Sequence, residues 1–590
     1  MPVNGAAPFA DAHAVSARPV VHRLHSWARG VLANSAVLVM VLIVATLVLP
    51  PAVVIAQRSL TESNPDGSSG ALTLGHFTHL FGNPLLYSSA WHSILFAAMS
   101  TAVTLLVGGS IAWLVERTNT PLKWLAYVTT VVSMGTPYLL YVMAWLFLGG
   151  KAGPLNDLYR SLMGTTESLI DIYTMSGMIL VEGLLWSPLV FLMLSASFRA
   201  ANAEMEEAAR MSGASVLATI RHVSLPLARP AVLAMGLFLF IRNLESFDVP
   251  VLIGTPGRIN LLTTDVYLSV SQAPPDLGHA SAYSMVLIAL VSILLYYYGR
   301  ISRMADRYAS VTGKGYRPRP FDLGRWRWLG GMLVAANFLV VLALPMAALL
   351  WMSLMPFLGR VSSSALRLLT LDNYAALLNS SESWELASNT IIVSAAAATV
   401  AMLLTVIAGW LAARRRPGGA VLDQLTTVPL VFPGIVLGVA LIEMALRLPF
   451  GLYGTLWIII IAFVIRYMPY GMRYAYSGVL QIHRELEEAA GACGASRLQS
   501  LRRVVAPLLS PAIIAGWLFI FLIGAKELSL AILLAGPGSQ TMAVAMFDLW
   551  QNGQAGEVSA LGLVWSLFMT VCALSSFLLM RRHGVGAFGK

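Results

Sequence analysis

The sequence predicts an all-α polytopic membrane protein of about twelve transmembrane helices, arranged as two tandem halves of six. Two observations predict this class. First, the 590 residues are 57% hydrophobic and only 11% charged, whereas a soluble domain carries about 25% charged residues. So few charges cannot cover a surface that faces water. Second, stretches of the first half recur in the second half, which indicates an internal duplication.

Apolar runs set the predicted elements, because a span needs roughly 20 apolar residues. Pro137 and Pro433 interrupt the third and ninth runs, and Pro188 and Pro469 lie in the fourth and tenth. Such breaks are tolerated where neighbouring helices satisfy the freed backbone groups. The predicted spans lie at residues 34–55, 91–115, 124–149, 173–198, 231–254, 281–299, 329–354, 387–412, 420–446, 454–478, 512–535 and 558–580.

Lysine and arginine predict the orientation of these spans. When both termini are placed in the cytoplasm, most of the 38 basic residues fall on the cytoplasmic side, as expected for a multi-pass protein. The net charge of +10 is therefore interpreted as a topology signal, and no basic-aromatic cluster points to nucleic acid.

The predicted organisation follows from the spans and the repeat. LTLGHF at 72–77 matches LTLDNY at 369–374, and an even number of spans in each half makes the two repeats parallel. The predicted segments are an N-terminal cytoplasmic tail at 1–33, a first membrane domain at 34–299 with a polar loop at 199–230, a basic cytoplasmic linker at 300–328, a second membrane domain at 329–580 with a polar loop at 480–511, and a C-terminal cytoplasmic tail at 581–590.

One polar passage occurs twice in this apolar chain. EEAARMSGASVLATIRHVSLPLARPA at 206–231 returns as EEAAGACGASRLQSLRRVVAPLLSPA at 487–512. Glutamate and alanine favour helix, glycine permits a turn, and a proline inside a helix costs about 3 kcal/mol. Each passage therefore predicts a short helix, a turn at glycine, and a second short helix that ends at the proline. A single copy could be a solvated loop, but retention in both halves favours a shared docking role.

The two passages resemble the coupling motif of binding-protein-dependent ABC importer permeases. In the second copy Ala506 stands where Leu225 precedes the proline in the first. The motif residues are Glu206, Glu207, Ala208, Ala209, Gly213 and Pro226, and then Glu487, Glu488, Ala489, Ala490, Gly494 and Pro507.

The wider chain is similar to the fused permeases of the ferric iron importer group, through LESFDVPVLIGTPG at 244–257, RYMPYGMR at 466–473 and KELSLAILLAGPGSQ at 526–540. Thiamine and aminoalkylphosphonate permeases look similar. The resemblance implies two type I importer permease domains in a bacterial inner membrane.

The same resemblance implies partners. The chain has no GxxxxGK[ST] phosphate loop, so a homodimer of separate ATP-binding subunits would bind ATP and Mg and hold one coupling helix per subunit. A periplasmic binding protein would deliver the substrate. We therefore expect a transporter subunit rather than an enzyme, with no catalytic residue, cofactor or metal site of its own.

Charges within spans need an explanation, because each costs about 2.5–3.5 kcal/mol at the membrane centre. The functional interpretation places five of them on the translocation path: Glu245, Asp248, Glu527, Lys526 and Arg466. The alternative is local neutralisation, by Arg242 three residues before Glu245 or by a pair between Arg466 and Glu443. Glu182 is a further charge, in the fourth span.

The substrate is not fixed by these residues. Acids suit a hard cation, in agreement with ferric iron, while thiamine, an aminoalkylphosphonate or another small organic solute are alternatives. A secondary transporter driven by an ion gradient is the alternative from a different class, since it too can have two parallel six-span halves. That class has no need of docking helices.

Overall fold

The computed structural model describes residues 18–582 apart from 64–68, 201–204, 206–207, 210, 308–320 and 363. Its first half contains α1 Arg18–Ser59, β1 Thr61–Ser63, β2 Ser69–Leu72, α2 Gly75–Gly82, α3 Pro84–Arg117, α4 Lys123–Gly135, α5 Tyr138–Gly149, α6 Pro154–Met163, α7 Met175–Ala200, α8 Val216–Thr219, α9 Leu225–Leu244, α10 Leu262–Ser271 and α11 Leu277–Arg307. The two strands form a small antiparallel hairpin.

The second half repeats the order of the long helices. It contains α12 Arg327–Phe338, α13 Leu344–Ser353, α14 Asp372–Asn379, α15 Ser381–Ala413, α16 Gly419–Thr427, α17 Gly434–Arg447, α18 Leu456–Leu480, α19 Arg484–Ala492, α20 Arg497–Ser500, α21 Ala506–Gly524, α22 Ala531–Leu534, α23 Met542–Gln551 and α24 Ala555–Arg582. Short π-helical turns lie at Ile220–Ser224, Pro250–Gly254, Leu339–Ala343 and Leu501–Val505, and 3-10 turns at Gly324–Trp326, Ala365–Leu368 and Val428–Val431.

The predicted all-α polytopic class is confirmed. Within the described residues, nine helices are long and apolar enough to cross a membrane. Two further runs are helix pairs bent by 111° and 100°, and they coincide with the predicted third and ninth spans. The short apolar helix at Ala231–Leu244 matches the predicted fifth span. The breaks occur at Pro137 and Pro433, whereas α7 and α18 continue through Pro188 and Pro469.

Two predicted boundaries differ from the helices observed. The helix α1 begins at Arg18, so it includes residues that the sequence assigned to the N-terminal tail. The end of the predicted linker is ordered against the first half, because Phe321 is buried and its backbone N–H donates to Arg117 O at 2.7 Å. Residues 1–17, 308–320 and 583–590 lie outside the described part of the chain.

The two halves exchange helices. The first span of each half packs against the broken span of the other half: α1 contacts α16 and α17, and α12 and α13 contact α4 and α5. The last spans do the same, with α11 against α17 and α24 against α4. The two repeats therefore form one intertwined bundle.

The contact between α1 and the second half includes a buried arginine. Arg58, at the end of α1, is buried, and its Nε lies 3.9 Å from Glu443 Oε2 in α17. Arg447 Nη2 donates to Glu443 Oε1 at 2.7 Å, and its Nη1 donates to Gln57 Oε1 at 3.0 Å. The suggested pair between Arg466 and Glu443 is therefore wrong, because Glu443 is bound by the arginines at the ends of α1 and α17.

Candidate functional site

Both broken spans are interrupted in the interior of the bundle. The helix α4 ends at Gly135 and α5 begins at Tyr138, while the 3-10 turn after α16 ends at Val431 and α17 begins at Gly434. The last carbonyls of a helix have no partner within the helix and carry partial negative charge. Each break therefore creates an acceptor for a cation within the membrane domain.

Two basic side chains of the second half occupy these acceptors. Lys526 Nζ donates to Met134 O at 3.0 Å and lies 4.3 Å from the centre of the Tyr138 ring. Arg466 Nη1 donates to Phe432 O. The carbonyls, together with the cation–π contact, stabilise charges that would otherwise be costly inside a membrane.

Glu245 is neutralised by arginines from both halves. Its Oε2 accepts from Arg466 Nη2 at 2.9 Å and from Arg242 Nη1 at 3.4 Å. The exposed fractions of the Glu245 and Arg466 side chains are 4% and 8%, so the pair is shielded from solvent. The predicted local pair of Arg242 with Glu245 is present, and Arg466 adds a bond between the halves.

The remaining acids of the site differ in how well they are satisfied. Glu527 accepts from Tyr467 Oη at 2.9 Å and from Ser529 Oγ, and it lies beside Gly434 at the start of α17. Glu182 Oε1 accepts from Trp186 Nε1 at 3.0 Å. Glu182 Oε2 and Asp248 Oδ1 are buried and have no hydrogen-bond partner among the described residues.

All five predicted pathway residues line one cavity of about 30 Å³. A cavity of this size has room for water. The charged residues around it comprise four acids and three bases: Glu182, Glu245, Asp248, Glu527, Arg242, Arg466 and Lys526. Among the described residues, no group of three or more His, Cys, Asp or Glu side chains is arranged to hold a metal ion.

The two halves contribute opposite charges at equivalent positions of this cavity. The alignment of the halves that pairs Pro256 with Pro537 also pairs Glu245 with Lys526. Both residues line the cavity, and both are buried. The site is therefore symmetric in its backbone and asymmetric in its charge.

The repeated polar passages form the turn that the sequence predicts. Gly213 and Gly494 both have a φ of +85°, a conformation that favours glycine. The residue after each glycine closes the turn: Ala214 N donates to Ala209 O, and Ala495 N donates to Ala490 O, each at 3.0 Å. Glu206 and Glu207 lie outside the described residues, and Ala208 is helical.

The two adjacent glutamates of the second passage face different surroundings. Glu488 is exposed, as are Ala489 and Gly491. Glu487 is directed toward α15, where its Oε1 accepts from Arg414 Nη2 at 2.6 Å and from Arg414 Nε at 2.7 Å. Its Oε2 accepts from Trp410 Nε1 at 3.1 Å. Glu488 is therefore available to a partner, while Glu487 is bound within the chain.

The predicted stop at the prolines is wrong. Pro226 and Pro507 lie in the first turns of α9 and α21, and a π-helical turn directly precedes each helix. Ala506 N donates to Leu501 O, an i to i−5 bond that continues the helix up to Pro507, and proline itself has no N–H to pair. The wider π turn joins the short helix to the span without a break.

Comparison with known proteins identifies the family. Residues 105–303 and 405–584 each match the family described as "Binding-protein-dependent transport system inner membrane component". These two segments make up more than half of the chain. The chain belongs to this family. It is a multi-pass inner-membrane permease with two copies of the family domain, and this membership excludes the secondary transporter considered above.

Named relatives of the permease are diverse. It is 24% identical over 488 residues to the ferric transport system permease protein FbpB of Actinobacillus pleuropneumoniae, covering 82% of this chain and 70% of that protein. It is 26% identical to the probable ABC transporter permease protein y4fN of Sinorhizobium fredii, over 85% and 88% of the two chains. It is 29% identical to the putative 2-aminoethylphosphonate transport system permease protein PhnU of Salmonella choleraesuis, over 43% and 85%.

Sequence reasoning missed part of the permease's site. Tyr138 and Trp186 gave no signal because aromatic residues are ordinary in an apolar run, yet both line the cavity. The contact of Arg414 with Glu487 was also missed. A signal was present, since Trp113 and Arg117 recur as Trp410 and Arg414, but a repeat does not show which residues touch.

Proposed function

We propose that the permease forms the membrane path of an ATP-driven importer and translocates ferric iron delivered by a periplasmic binding protein. The observation that supports this mechanism most directly is the duplicated coupling passage. Its second copy presents an exposed helix α19 that ends in a glycine turn, and the first copy repeats the turn at Gly213. Two equivalent docking elements suit a motor of two identical ATP-binding subunits.

The proposed topology places both termini and both coupling passages in the cytoplasm. ATP and Mg would then be bound by the partner subunits, and this chain would need no cofactor. Closure of the ATP-binding dimer would move the two coupling passages toward each other. Because the halves exchange their first and last spans, that movement would open the central cavity toward the periplasm.

Ferric iron is the favoured substrate for two reasons. Relatives that span most of the chain are named as ferric transport permeases. In addition, Glu182 Oε2 and Asp248 Oδ1 offer unpartnered oxygens in the cavity wall, and hard cations prefer oxygen ligands.

An aminoalkylphosphonate is the second candidate. The cavity presents acids and bases together, and a zwitterion with an amine and a phosphonate would match both signs of charge. Relatives named as 2-aminoethylphosphonate permeases support this alternative over 43% of the chain.

Uptake by intact cells tests the proposal. Radiolabelled ferric iron is supplied to a strain that lacks the gene and other iron importers, complemented with the wild-type gene or with Glu207→Arg/Glu488→Arg. Wild type is expected to restore uptake, and the double variant to insert normally without transporting. Unlabelled thiamine and 2-aminoethylphosphonate serve as competitors. Iron uptake that is the same with and without the gene would reject ferric iron as the substrate. If unlabelled thiamine or 2-aminoethylphosphonate lowers the gene-dependent uptake of iron, that solute uses the same permease.

A further inference from the structure

Arg414 joins three parts of the coupling region. Besides its bonds to Glu487, its Nη2 donates to Ile482 O at 3.0 Å, in the turn between α18 and α19. Trp410 lies four residues earlier, on the same face of α15. The first turn of the coupling helix, the turn before it and the end of α15 are therefore bound together through one guanidinium group.

The ion pair of Arg414 with Glu487 is shielded from solvent more than an ordinary surface ion pair. The exposed fractions of the Arg414 and Glu487 side chains are 7% and 15%. Exposed pairs contribute about 0–1 kcal/mol, whereas charge-assisted bonds with fixed geometry are roughly twice as strong as neutral ones. The Trp410 indole N–H donates to the other oxygen of the carboxylate and so restricts its orientation. This arrangement holds α19 in one position relative to α15.

The other end of α15 is bonded to the segment that follows the cavity residues. This helix is about 50 Å long, at about 1.5 Å per residue. Near its start, Asn389 Nδ2 donates to Gly538 O and to Gln540 O, each at 3.2 Å. Thr390 Oγ1 accepts from Met542 N at 2.8 Å. A displacement of α19 that moves α15 will therefore move the segment beyond Glu527 and Ser529.

The first half repeats part of this arrangement, with Arg117 Nη1 donating to Phe198 O at 3.4 Å. Trp113 and Arg117 end α3 at the same spacing. At the start of α3, Ser93 Oγ accepts from Leu262 N at 2.9 Å, and His92 Nδ1 lies 3.3 Å from Asn260 O. In both halves, therefore, the start of this long helix is bonded to the segment that follows the cavity residues, and Trp and Arg stand at its end.

We infer that Arg414, with Trp410, is a positioning residue that couples the movement of α19 to the cavity through α15. In this role Glu487 binds the membrane domain and does not contact the ATP-binding partner. The inference rests on the proposed importer function for its transport readout. The anchor, which we define as the bonds of Arg414 to Glu487 and Ile482, can be measured on the permease alone.

A nitroxide label on Cys493 reports the anchor. Cys493 is exposed and directly follows α19, and Cys572→Ala leaves it as the single cysteine. In purified permease, Arg414→Gln is expected to increase the mobility of the label. Arg415→Gln is the matched control, because it removes the same charge from the exposed neighbour. The exchange Arg414→Glu/Glu487→Arg is expected to restore part of the immobilisation.

Transport by the reconstituted complex reports the coupling. Arg414→Gln is expected to retain the ATP-binding subunits and to lower uptake per ATP hydrolysed by about tenfold, within the usual range for coupling between distant sites. The exchange variant should recover part of this loss. Label mobility equal to that of Arg415→Gln would overturn the anchor. Increased mobility with unchanged coupling would overturn the transmission role. Failure of the wild-type complex to transport would reject the proposed function and leave the anchor measurement intact.

Discussion

Lys526 and Arg466 show how single charges are accommodated inside this bundle. Each donates to a carbonyl freed by a helix break, Met134 O or Phe432 O. The breaks therefore do more than bend the spans. They supply fixed negative dipoles, so that the basic residues are held without using all of the nearby carboxylates.

The ion pair of Glu245 with Arg466 yields a prediction at the residue scale. Removing one partner of a buried pair leaves an uncompensated charge and costs about 3–5 kcal/mol. We expect Glu245→Gln and Arg466→Gln each to lower thermal stability in detergent, and the double variant to lose less than the sum. Residues in contact typically show an interaction energy of about 0.5–3 kcal/mol.

Arg473 provides the control for this cycle. It lies on the same helix α18 but is exposed, so Glu245→Gln and Arg473→Gln should act additively. An additive result for the Arg466 cycle as well would show that the two charges are stabilised separately.

At the residue level, charge in an apolar run was itself the signal. Glu245, Asp248, Glu527, Lys526 and Arg466 were all expected on the translocation path; all line one cavity, and their place on the path stays a prediction. Choosing their partners failed for Glu443, because Arg58 reaches it from α1 of the other half. Partners across an exchanged interface are set by helix packing and not by spacing along the chain.

At the scale of elements, the glycine turn after α19 limits the coupling helix. A side chain at the φ of +85° found at Gly494 costs about 1–2 kcal/mol. Gly491 lies inside α19, and no atom of the described part of the chain lies within 4 Å of the point that an added Cβ would occupy. Alanine there should favour the helix by about 0.5–1 kcal/mol.

We therefore expect opposite effects from two similar substitutions. Gly494→Ala should accelerate hydrogen exchange at Cys493 and Ala495, whose N–H groups donate to Ala489 O and Ala490 O at 3.0 Å. Gly491→Ala should slow that exchange or leave it unchanged. Equal protection in both variants would mean that the turn does not control the helix end.

The prolines show why some helix boundaries were predicted correctly and others were not. Pro137 and Pro433 were expected to weaken their spans, and they mark bends of 111° and 100°. Pro226 and Pro507 were expected to end helices, yet they begin spans after π turns. The same residue type therefore lies at a bend, after a π turn, or inside a continuous helix as at Pro188 and Pro469, and spacing along the chain does not distinguish these cases.

The exchange of spans gives a prediction for the whole molecule. Because α1 and α11 pack on the second half, and α12, α13 and α24 on the first, neither half has a complete set of contacts alone. We expect residues 1–313 and 314–590, expressed together as separate chains, to co-purify through a tag on either. The first part expressed alone should be degraded or aggregate.

Two glycine variants test this pairing. A Cβ added at Gly135 would lie 2.7 Å from Thr570 N of α24, so Gly135→Leu should prevent co-purification. At Gly82 an added Cβ would have no atom of the described residues within 4 Å, and Gly82→Leu should have no effect. Co-purification of the Gly135→Leu chain would argue that other contacts dominate the interface.

The opposite charges of Glu245 and Lys526 carry a consequence for the history of the chain. A dimer of two first halves would bring two glutamates to the central cavity, and a dimer of two second halves would bring two lysines. Uncompensated charges in a membrane interior are costly, so the difference at these two positions favours pairing of the two unlike halves. Fusion in one chain supplies those halves in equal number.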